Sequence, residues 1–210
     1  MSFINQALHT ITSTVTNRII LVTVIAHIVR IAVFNDQRTG LELYSWHTDN
    51  FAIYQLLSHM FLHGSETHLF FNMFGLWMFG RIVEQILGKK RFLILYIACG
   101  VGAAIISQLV DDYIFREVFY GAMVGASGAI YGLLAVFAIM FPNFKVMLIF
   151  LPIPIAAKFF VPALILIDLT AGFTGFSIFG QNIAHFAHIG GAIVGVLIIF
   201  IYRQQAKSKV

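Results

Sequence analysis

The chain has 210 residues, of which 60% are hydrophobic and only 10% are charged, and its formal net charge is +4. A soluble domain of average composition is roughly a quarter charged, so this chain has too few charges to cover a globule in water. The same composition excludes a disordered chain and a coiled coil, and the single cysteine, Cys99, excludes a disulfide scaffold. The sequence therefore predicts an integral membrane protein, in which positive charge indicates topology rather than binding to nucleic acid.

Apolar segments long enough to cross a bilayer, about 20 residues each, recur six times along the chain. They run over residues 19–34, 69–87, 92–110, 126–141, 158–173 and 184–202. A further apolar stretch, residues 144–151, lies between Pro142 and the pair Pro152 and Pro154, and we interpret it as interfacial rather than spanning. The predicted fold class is all-α, a polytopic membrane protein with six transmembrane helices.

The distribution of Lys and Arg predicts the orientation of these helices. If the six helices alternate, ten of the thirteen basic residues lie on one side, which puts both termini in the cytoplasm. Residues 1–18 carry an apolar stripe at helical spacing and are expected to lie at the cytoplasmic interface; they lack the pattern of a cleaved signal peptide. Residues 203–210 are expected to form a basic cytoplasmic tail, and residues 35–68 the longest loop, on the outer side.

Small residues in two of the predicted helices favour a close contact around Ser127, which begins the fourth span. His188 precedes a glycine of the sixth span by three positions, so it lies on or beside the small face of that helix. Helices with such faces pack closely, and the spacing permits a Ser127–His188 hydrogen bond, which a base-activated nucleophile requires. The small residues are Gly121, Gly125, Gly128 and Gly132 in and before the fourth span, and Ala187, Gly191 and Gly195 in the sixth.

Polar side chains on three predicted spans lie at one depth. His68 and Asn72 are four residues apart, on one face at the outer end of the second span, and imidazole and amide groups both stabilise oxyanions. Tyr131 follows Ser127 by one helical turn, on the face shared with His188. Serines and histidines at helix interfaces often serve packing alone, but packing does not explain why three spans bring polar groups to one depth.

Four motifs occur in a recognisable order, over about residues 55–202. They are His63-Gly-Ser-Glu-Thr-His68-Leu-Phe-Phe-Asn72, Gly80-Arg-Ile-Val-Glu84-Gln-Ile-Leu-Gly88, Gly125-Ala-Ser127-Gly128 with Tyr131, and Ala187-His188-Ile189-Gly190-Gly191. With these motifs the chain resembles the rhomboid family of intramembrane serine proteases, of the six-helix bacterial type. The resemblance implies a six-helix protease domain at residues 19–202, which cleaves transmembrane regions of other membrane proteins with a Ser–His dyad and without metal or cofactor.

The resemblance also implies a role for each matching residue. Ser127 is the expected nucleophile and His188 the general base, while His68, Asn72 and the backbone N–H of Ser127 are the expected oxyanion donors. Tyr131 is expected to pack on His188 and fix its ring. Support of helix packing is expected from Gly125, Gly128, Gly132, Gly191, Gly195 and, at the cytoplasmic end, Glu84. Where the family often carries a Trp-Arg pair this chain has Tyr54-Gln55, a departure that concerns the anchoring of the outer loop.

Two histidines compete for the role of the base, since Ala184-His185 and Ala187-His188 are near-duplicates. We assign the base to His188 because Gly191 follows it by three positions and because the family pattern favours it. His63 is expected to stabilise the outer loop. Asp168 is expected to form hydrogen bonds in the outer half of the fifth span and has no assigned part in the reaction.

Three other interpretations stay open. A zinc protease would use His59 and His63 with His68 or His185, although no His-Glu-x-x-His motif is present. A non-catalytic relative that binds transmembrane clients would lack the serine or the histidine, and a transporter would show an inverted repeat. The expected partners are transmembrane protein substrates and membrane lipid but no nucleic acid. The expected location is the bacterial plasma membrane, with the active site toward the outer face.

Overall fold

The computed structural model describes residues 13–116, 118, 121–148, 151–175 and 184–208. Most of the predicted interfacial segment at residues 1–18 therefore lies outside the described residues. Its last part already belongs to the first helix, which begins at Val15. The final helix continues to Lys207, so most of the predicted tail at residues 203–210 is helical.

The described chain is mostly helical, as the sequence predicts. The helices are α1 (Val15–Phe34), α2 (Gln55–Ser58), α3 (Glu66–Gly75), α4 (Arg81–Leu87), α5 (Lys89–Val110), α6 (Ser127–Met140), α7 (Ala157–Thr174) and α8 (His185–Lys207). A 3₁₀ turn (His59–Phe61) follows α2, one π-helical turn (Leu76–Gly80) joins α3 to α4, and a second (Asp111–Phe115) extends α5. Two short strands, β1 (Lys145–Leu148) and β2 (Leu151–Ala156), lie between α6 and α7.

Within the described residues, four helical stretches are long and apolar enough to cross a membrane. They are Val15–Phe34, Lys89–Phe115, Ala157–Thr174 and His185–Lys207. The predicted fourth span is the shorter apolar helix Ser127–Met140, and the predicted second span is divided by the π-helical turn between α3 and α4. The helical membrane fold is thus confirmed, whereas the number of six spans stays a prediction.

The segment between α6 and α7 is a β-hairpin, which the sequence analysis did not predict. β1 pairs with β2 in antiparallel register, with Val146 opposite Ile155 and Leu148 opposite Leu151. Proline donates no backbone hydrogen bond, and it is tolerated here because a two-stranded sheet has only edge strands. Pro152 and Pro154 correctly indicated that no helix continues through this segment, but the sequence analysis did not recognise that they lie in a strand.

The centre of the bundle is formed by α6, which packs closely against α8. A Cβ atom at Gly191 would overlap the carbonyl oxygen of Gly128, and one at Gly195 would lie 2.5 Å from the carbonyl oxygen of Gly132. Only glycine permits this approach of two helix backbones. The approach brings the first turn of α8 beside the first turn of α6.

Glu84 of α4 fastens the opposite end of the bundle by binding the first turn of α1. Its carboxylate accepts hydrogen bonds from the backbone N–H of Val15 (2.7 Å), and from the N–H (2.8 Å) and hydroxyl (2.7 Å) of Thr16. The carboxylate is buried. An anion at a helix N-terminus satisfies N–H groups that have no partner within the helix and lies favourably in the helix dipole.

The loop over residues 35–65 packs on the end of the bundle where α6 begins, which we call the loop end. Leu43 and Met123 exchange two backbone hydrogen bonds, of 3.0 and 2.8 Å. Gln108 of α5 donates to the carbonyl of Tyr44 at 2.9 Å. The indole of Trp46 donates to Asp112 at 2.7 Å. The loop is therefore held by the end of α5 with its π-helical extension and by the strand-like stretch before Ser127.

Candidate active site

Ser127 is the first residue of α6, at the loop end. The preceding chain is held in place because the N–H of Gly125 donates to the carbonyl of His59 at 2.9 Å. Gly125 has φ of 125°, which side-chain-bearing residues rarely adopt, and a Cβ atom there would lie 2.8 Å from the ring of His68. This geometry places Ser127 at a helix N-terminus, where backbone N–H groups have no intrahelical partner and favour negative charge.

His188 lies in the first turn of α8 and faces Ser127. Its Nε2 atom is 2.8 Å from the hydroxyl oxygen of Ser127, which is hydrogen-bond distance. The ring of Tyr131 is stacked on the imidazole, with centroids 4.3 Å apart and planes at 10°. The structure thus brings together Ser127, His188 and Tyr131, three residues that the sequence analysis singled out.

His68 and Asn72 lie in the first half of α3. The hydroxyl of Ser65 caps this helix by accepting from the N–H of His68 at 3.2 Å. Asn72 is buried and donates one N–H to the carbonyl of His68 at 2.9 Å, which leaves the second N–H of its amide available. The His68 ring contacts Gly125, two residues before Ser127, so this helix reaches the surroundings of the serine.

Asp168 of α7 contacts the site, which the sequence analysis did not predict. Its Oδ1 atom is 3.1 Å from Nδ1 of His188 and 2.5 Å from Nδ1 of His185. All three residues are buried, and Asp168 is fully so. The expected hydrogen bonds of Asp168 in the outer half of the fifth span therefore run to the first turn of α8. The two competing histidines have different contacts: His185 contacts the carboxylate of Asp168, whereas His188 contacts Ser127 as well.

His59 and His63 lie in the 35–65 loop and are buried. Burial lowers the pKa of His59 to about 4, although its Nδ1–H donates to the carbonyl of Gln55 at 2.8 Å. Burial also lowers the pKa of His63 to about 3, helped by His68, His27 and Arg30 nearby. In the described part of the chain, the ligand atoms close enough to hold a metal belong instead to Asp168, His185 and His188. The predicted zinc alternative with His59 and His63 is therefore not supported.

Comparison with known proteins identifies the family. The sequence model of the Rhomboid domain matches residues 50–205, about three quarters of the chain. The chain belongs to the rhomboid family. It is 34% identical over 165 residues to "Rhomboid-like protein 11, chloroplastic" of Arabidopsis thaliana, an alignment that covers 76% of this chain and 55% of that protein.

Two further relatives are mitochondrial by name. Identity is 32% over 142 residues to "Rhomboid protein 1, mitochondrial" of Saccharomyces cerevisiae, covering 68% of this rhomboid and 40% of the relative. It is 33% over 142 residues to "Presenilin-associated rhomboid-like protein, mitochondrial" of Homo sapiens, covering 67% and 36%. The chain thus spans between about a third and somewhat over half of the length of these relatives.

The expected location in a bacterial plasma membrane is wrong by this comparison, because these three relatives are chloroplastic or mitochondrial by name. The error has a physical origin. Apolar length and the distribution of Lys and Arg describe how a chain is oriented in a bilayer. They do not distinguish a bacterial membrane from that of an organelle.

The Tyr54-Gln55 departure from the common rhomboid pattern has a structural counterpart. Gln55 is buried, and its Nε2 atom donates to the carbonyls of Gly40 (3.0 Å) and Asn50 (2.9 Å). Its Oε1 atom accepts from the N–H of Ala52 at 3.2 Å. In this rhomboid, Gln55 therefore fixes the 35–65 loop from inside, while Tyr54 is half-exposed.

Proposed function

We propose that this rhomboid is an intramembrane serine endopeptidase with Ser127 as nucleophile and His188 as general base. The observation that carries the proposal is the 2.8 Å contact between the serine hydroxyl and Nε2 of His188. In the reaction, Nε2 accepts the hydroxyl proton while the serine oxygen attacks the carbonyl carbon of a peptide bond. His188 then donates that proton to the leaving amine, and a water molecule activated by the same nitrogen hydrolyses the acyl-enzyme ester.

The oxyanion of the tetrahedral intermediate would form at the first turn of α6. The backbone N–H of Ser127 lies at the helix N-terminus, where partial positive charge favours an anion. His68, beside Gly125, and the second amide N–H of Asn72 are the further donors that we assign. Preorganised donors of this kind typically contribute about 10²–10³-fold each to turnover.

The proposed substrates are transmembrane segments of other membrane proteins. Peptide bonds in a helix have their carbonyls engaged in hydrogen bonds, so a substrate must unwind before Ser127 reaches it. We therefore expect cleavage near small or helix-weakening residues, at the end of the substrate helix that reaches the loop end. The chloroplastic and mitochondrial relatives favour an organellar membrane as the place of this reaction.

The proposal is tested by labelling the full chain in detergent micelles with a fluorophosphonate and mapping the adduct by mass spectrometry. We expect an adduct on Ser127 in the wild type and none in Ser127→Ala or His188→Ala, with peptide cleavage reduced about 10⁴-fold or more in both. Ser107→Ala is the matched control, because Ser107 is also a buried serine of a membrane helix, in α5, and should retain labelling. Folded wild-type protein that neither labels nor cleaves would contradict the proposal and favour a client-binding relative.

A further inference from the structure

The carboxylate of Asp168 lies between the imidazoles of His185 and His188. Its Oδ1 atom is 3.1 Å from Nδ1 of His188, whose other nitrogen faces Ser127. We propose that Asp168 is a positioning residue for His188, so that the site works as a Ser–His–Asp triad rather than the dyad expected from the sequence. This inference rests on the proposed protease function and deepens it.

The first argument concerns the tautomer of His188. A neutral imidazole carries one proton, on either of its two nitrogens, and the hydrogen bond of one nitrogen sets the state of the other. Because a carboxylate oxygen accepts from Nδ1, the proton of the neutral ring resides there. Nε2 is then unprotonated and faces the Ser127 hydroxyl at 2.8 Å, ready to accept its proton.

The second argument concerns the charge that appears during the reaction. When Nε2 takes the serine proton, the ring of the buried His188 becomes an imidazolium. A carboxylate in contact with Nδ1 stabilises that cation more strongly than it would in bulk water. Tyr131, which stacks on the same ring, fixes its plane but supplies no negative charge.

His185 completes the arrangement by holding the carboxylate. Asp168 is fully buried, and a buried carboxylate is tolerated only where it is paired or hydrogen-bonded. Its Oδ1 atom accepts from Nδ1 of His185 at 2.5 Å as well as from His188, and one carboxylate oxygen has lone pairs for both. We therefore assign different tasks to the two histidines: His185 orients Asp168, and His188 exchanges protons with Ser127.

The same three residues also form a group whose ligand atoms lie within 4.8 Å of one another, the spacing of a metal site. Direct hydrogen bonding explains their geometry better, because the carboxylate oxygen and Nδ1 of His185 are already at hydrogen-bond distance, with no space between them for a cation. Metal binding is therefore an outcome that the test must separate from the triad.

The experiment compares Asp168→Asn and Asp168→Leu with the wild type. Asparagine keeps a carbonyl oxygen for the two Nδ1–H groups but removes the charge, whereas leucine, which branches at the same atom, removes both acceptor and charge. We expect kcat for a transmembrane peptide to fall about 10²–10⁴-fold, more in the leucine variant, with KM nearly unchanged. Fluorophosphonate labelling of Ser127 should slow in the same order. Asp36→Asn, an exposed carboxylate paired with Arg30, is the matched control and should keep wild-type kcat.

The outcomes separate this inference from the proposed function. Wild-type kcat in both Asp168 variants, with Ser127→Ala inactive, would overturn the triad and leave the serine protease intact. If kcat falls only in those Asp168 variants whose unfolding temperature also falls, and to a matching degree, Asp168 has a structural role only. Loss of wild-type labelling in the presence of a chelator would favour a metal site at the same residues. An inactive wild type would instead remove the proposed function itself.

Discussion

Single buried side chains give this chain a predictable response to acid. His63 is fully buried in the 35–65 loop, and neither ring nitrogen has a hydrogen-bond partner among the described residues. Burial lowers its pKa to about 3 and that of His59 to about 4, whereas an unfolded imidazole titrates near 6.5. Both rings are therefore neutral in the folded protein at pH values where the unfolded chain is already protonated.

The sign of the effect follows from proton binding. Below about pH 6.5 the unfolded chain binds more protons at these positions than the folded protein, so the free energy of unfolding falls as the pH is lowered. The slope approaches about 1.4 kcal/mol per pH unit for each histidine, and the loss continues down to the folded pKa values near 4 and 3. Above pH 6.5 these two residues should contribute no pH dependence.

Unfolding in micelles, measured between pH 4 and 8 by steric trapping or by denaturant, checks this prediction. His63→Leu should fold, because an apolar side chain suits a buried position without polar partners. Below pH 6.5 it should reduce the slope of the unfolding free energy against pH by the contribution of one bound proton. Equal slopes in the wild type and His63→Leu would show that His63 is protonated in the folded state. The charged and titratable groups facing His63 are His68, His27 and Arg30.

At this scale the sequence predicts part of the candidate site and misses the rest. The contact of Ser127 with His188 could be anticipated because both residues accompany small-residue stripes, which identify the facing sides of two helices. No such stripe marks Asp168. Its helix, α7, is apolar around its circumference and contains Pro162, so its sequence does not indicate which side faces α8.

At the scale of secondary-structure elements, the packing of the bundle depends on the close approach of α6 and α8. The backbone of Gly191 lies against Gly128 so closely that a single added methyl group would overlap a carbonyl oxygen. Alanine is the better helix former by about 1 kcal/mol, but a clash with backbone cannot be relieved by rotating a side chain. The steric effect should therefore exceed the gain in propensity.

We expect Gly191→Ala to lower the free energy of unfolding by about 1–3 kcal/mol and to reduce labelling of Ser127, because the two helices must separate. Gly75→Ala is the matched control: this glycine is also helical, and its added methyl group would meet only the side chain of Ile130 at 3.4 Å. Thermal unfolding and fluorophosphonate labelling of both variants provide the measurement. Equal stability of the two variants would mean that the helices have room to adjust.

The elements that the sequence misplaced share one cause. Apolar length predicts helices well where a stretch is long and uninterrupted, as in α1, α5 and α8. It fails between α6 and α7, since a short apolar run between prolines fits an interfacial segment, a turn or a strand equally well. The pairing of Val146 with Ile155 depends on two strands meeting, which no single stretch of sequence encodes.

At the scale of the whole molecule, the 35–65 loop and the helix bundle form two connected layers. The layers meet through apolar packing, in which Met60 of the loop lies in the hydrophobic core against Gly100 of α5, and through polar contacts of Gln108 with Tyr44 and of Asp112 with Trp46. Glu42 and Gln55 instead hold the loop together from within: Glu42 accepts from the N–H groups of Thr39 and Gly40. The internal order of the loop and its attachment to the bundle therefore depend on different side chains and can be perturbed separately.

Gln55→Leu tests this separation. The change removes two hydrogen bonds donated by the amide and two accepted by it, and each typically contributes about 0.5–1.5 kcal/mol, with a further cost for partners left buried. Amide hydrogen exchange over residues 40–52 should therefore accelerate by about tenfold or more, while exchange in α6 and α8 stays as in the wild type. Gln37→Leu, the same substitution at an exposed glutamine near the start of the loop and outside residues 40–52, is the control and should change neither region. Acceleration that extends into α6 would mean instead that loop and bundle open as one unit, because the backbone contact of Gly125 with His59 would then transmit the loss to the helix of Ser127.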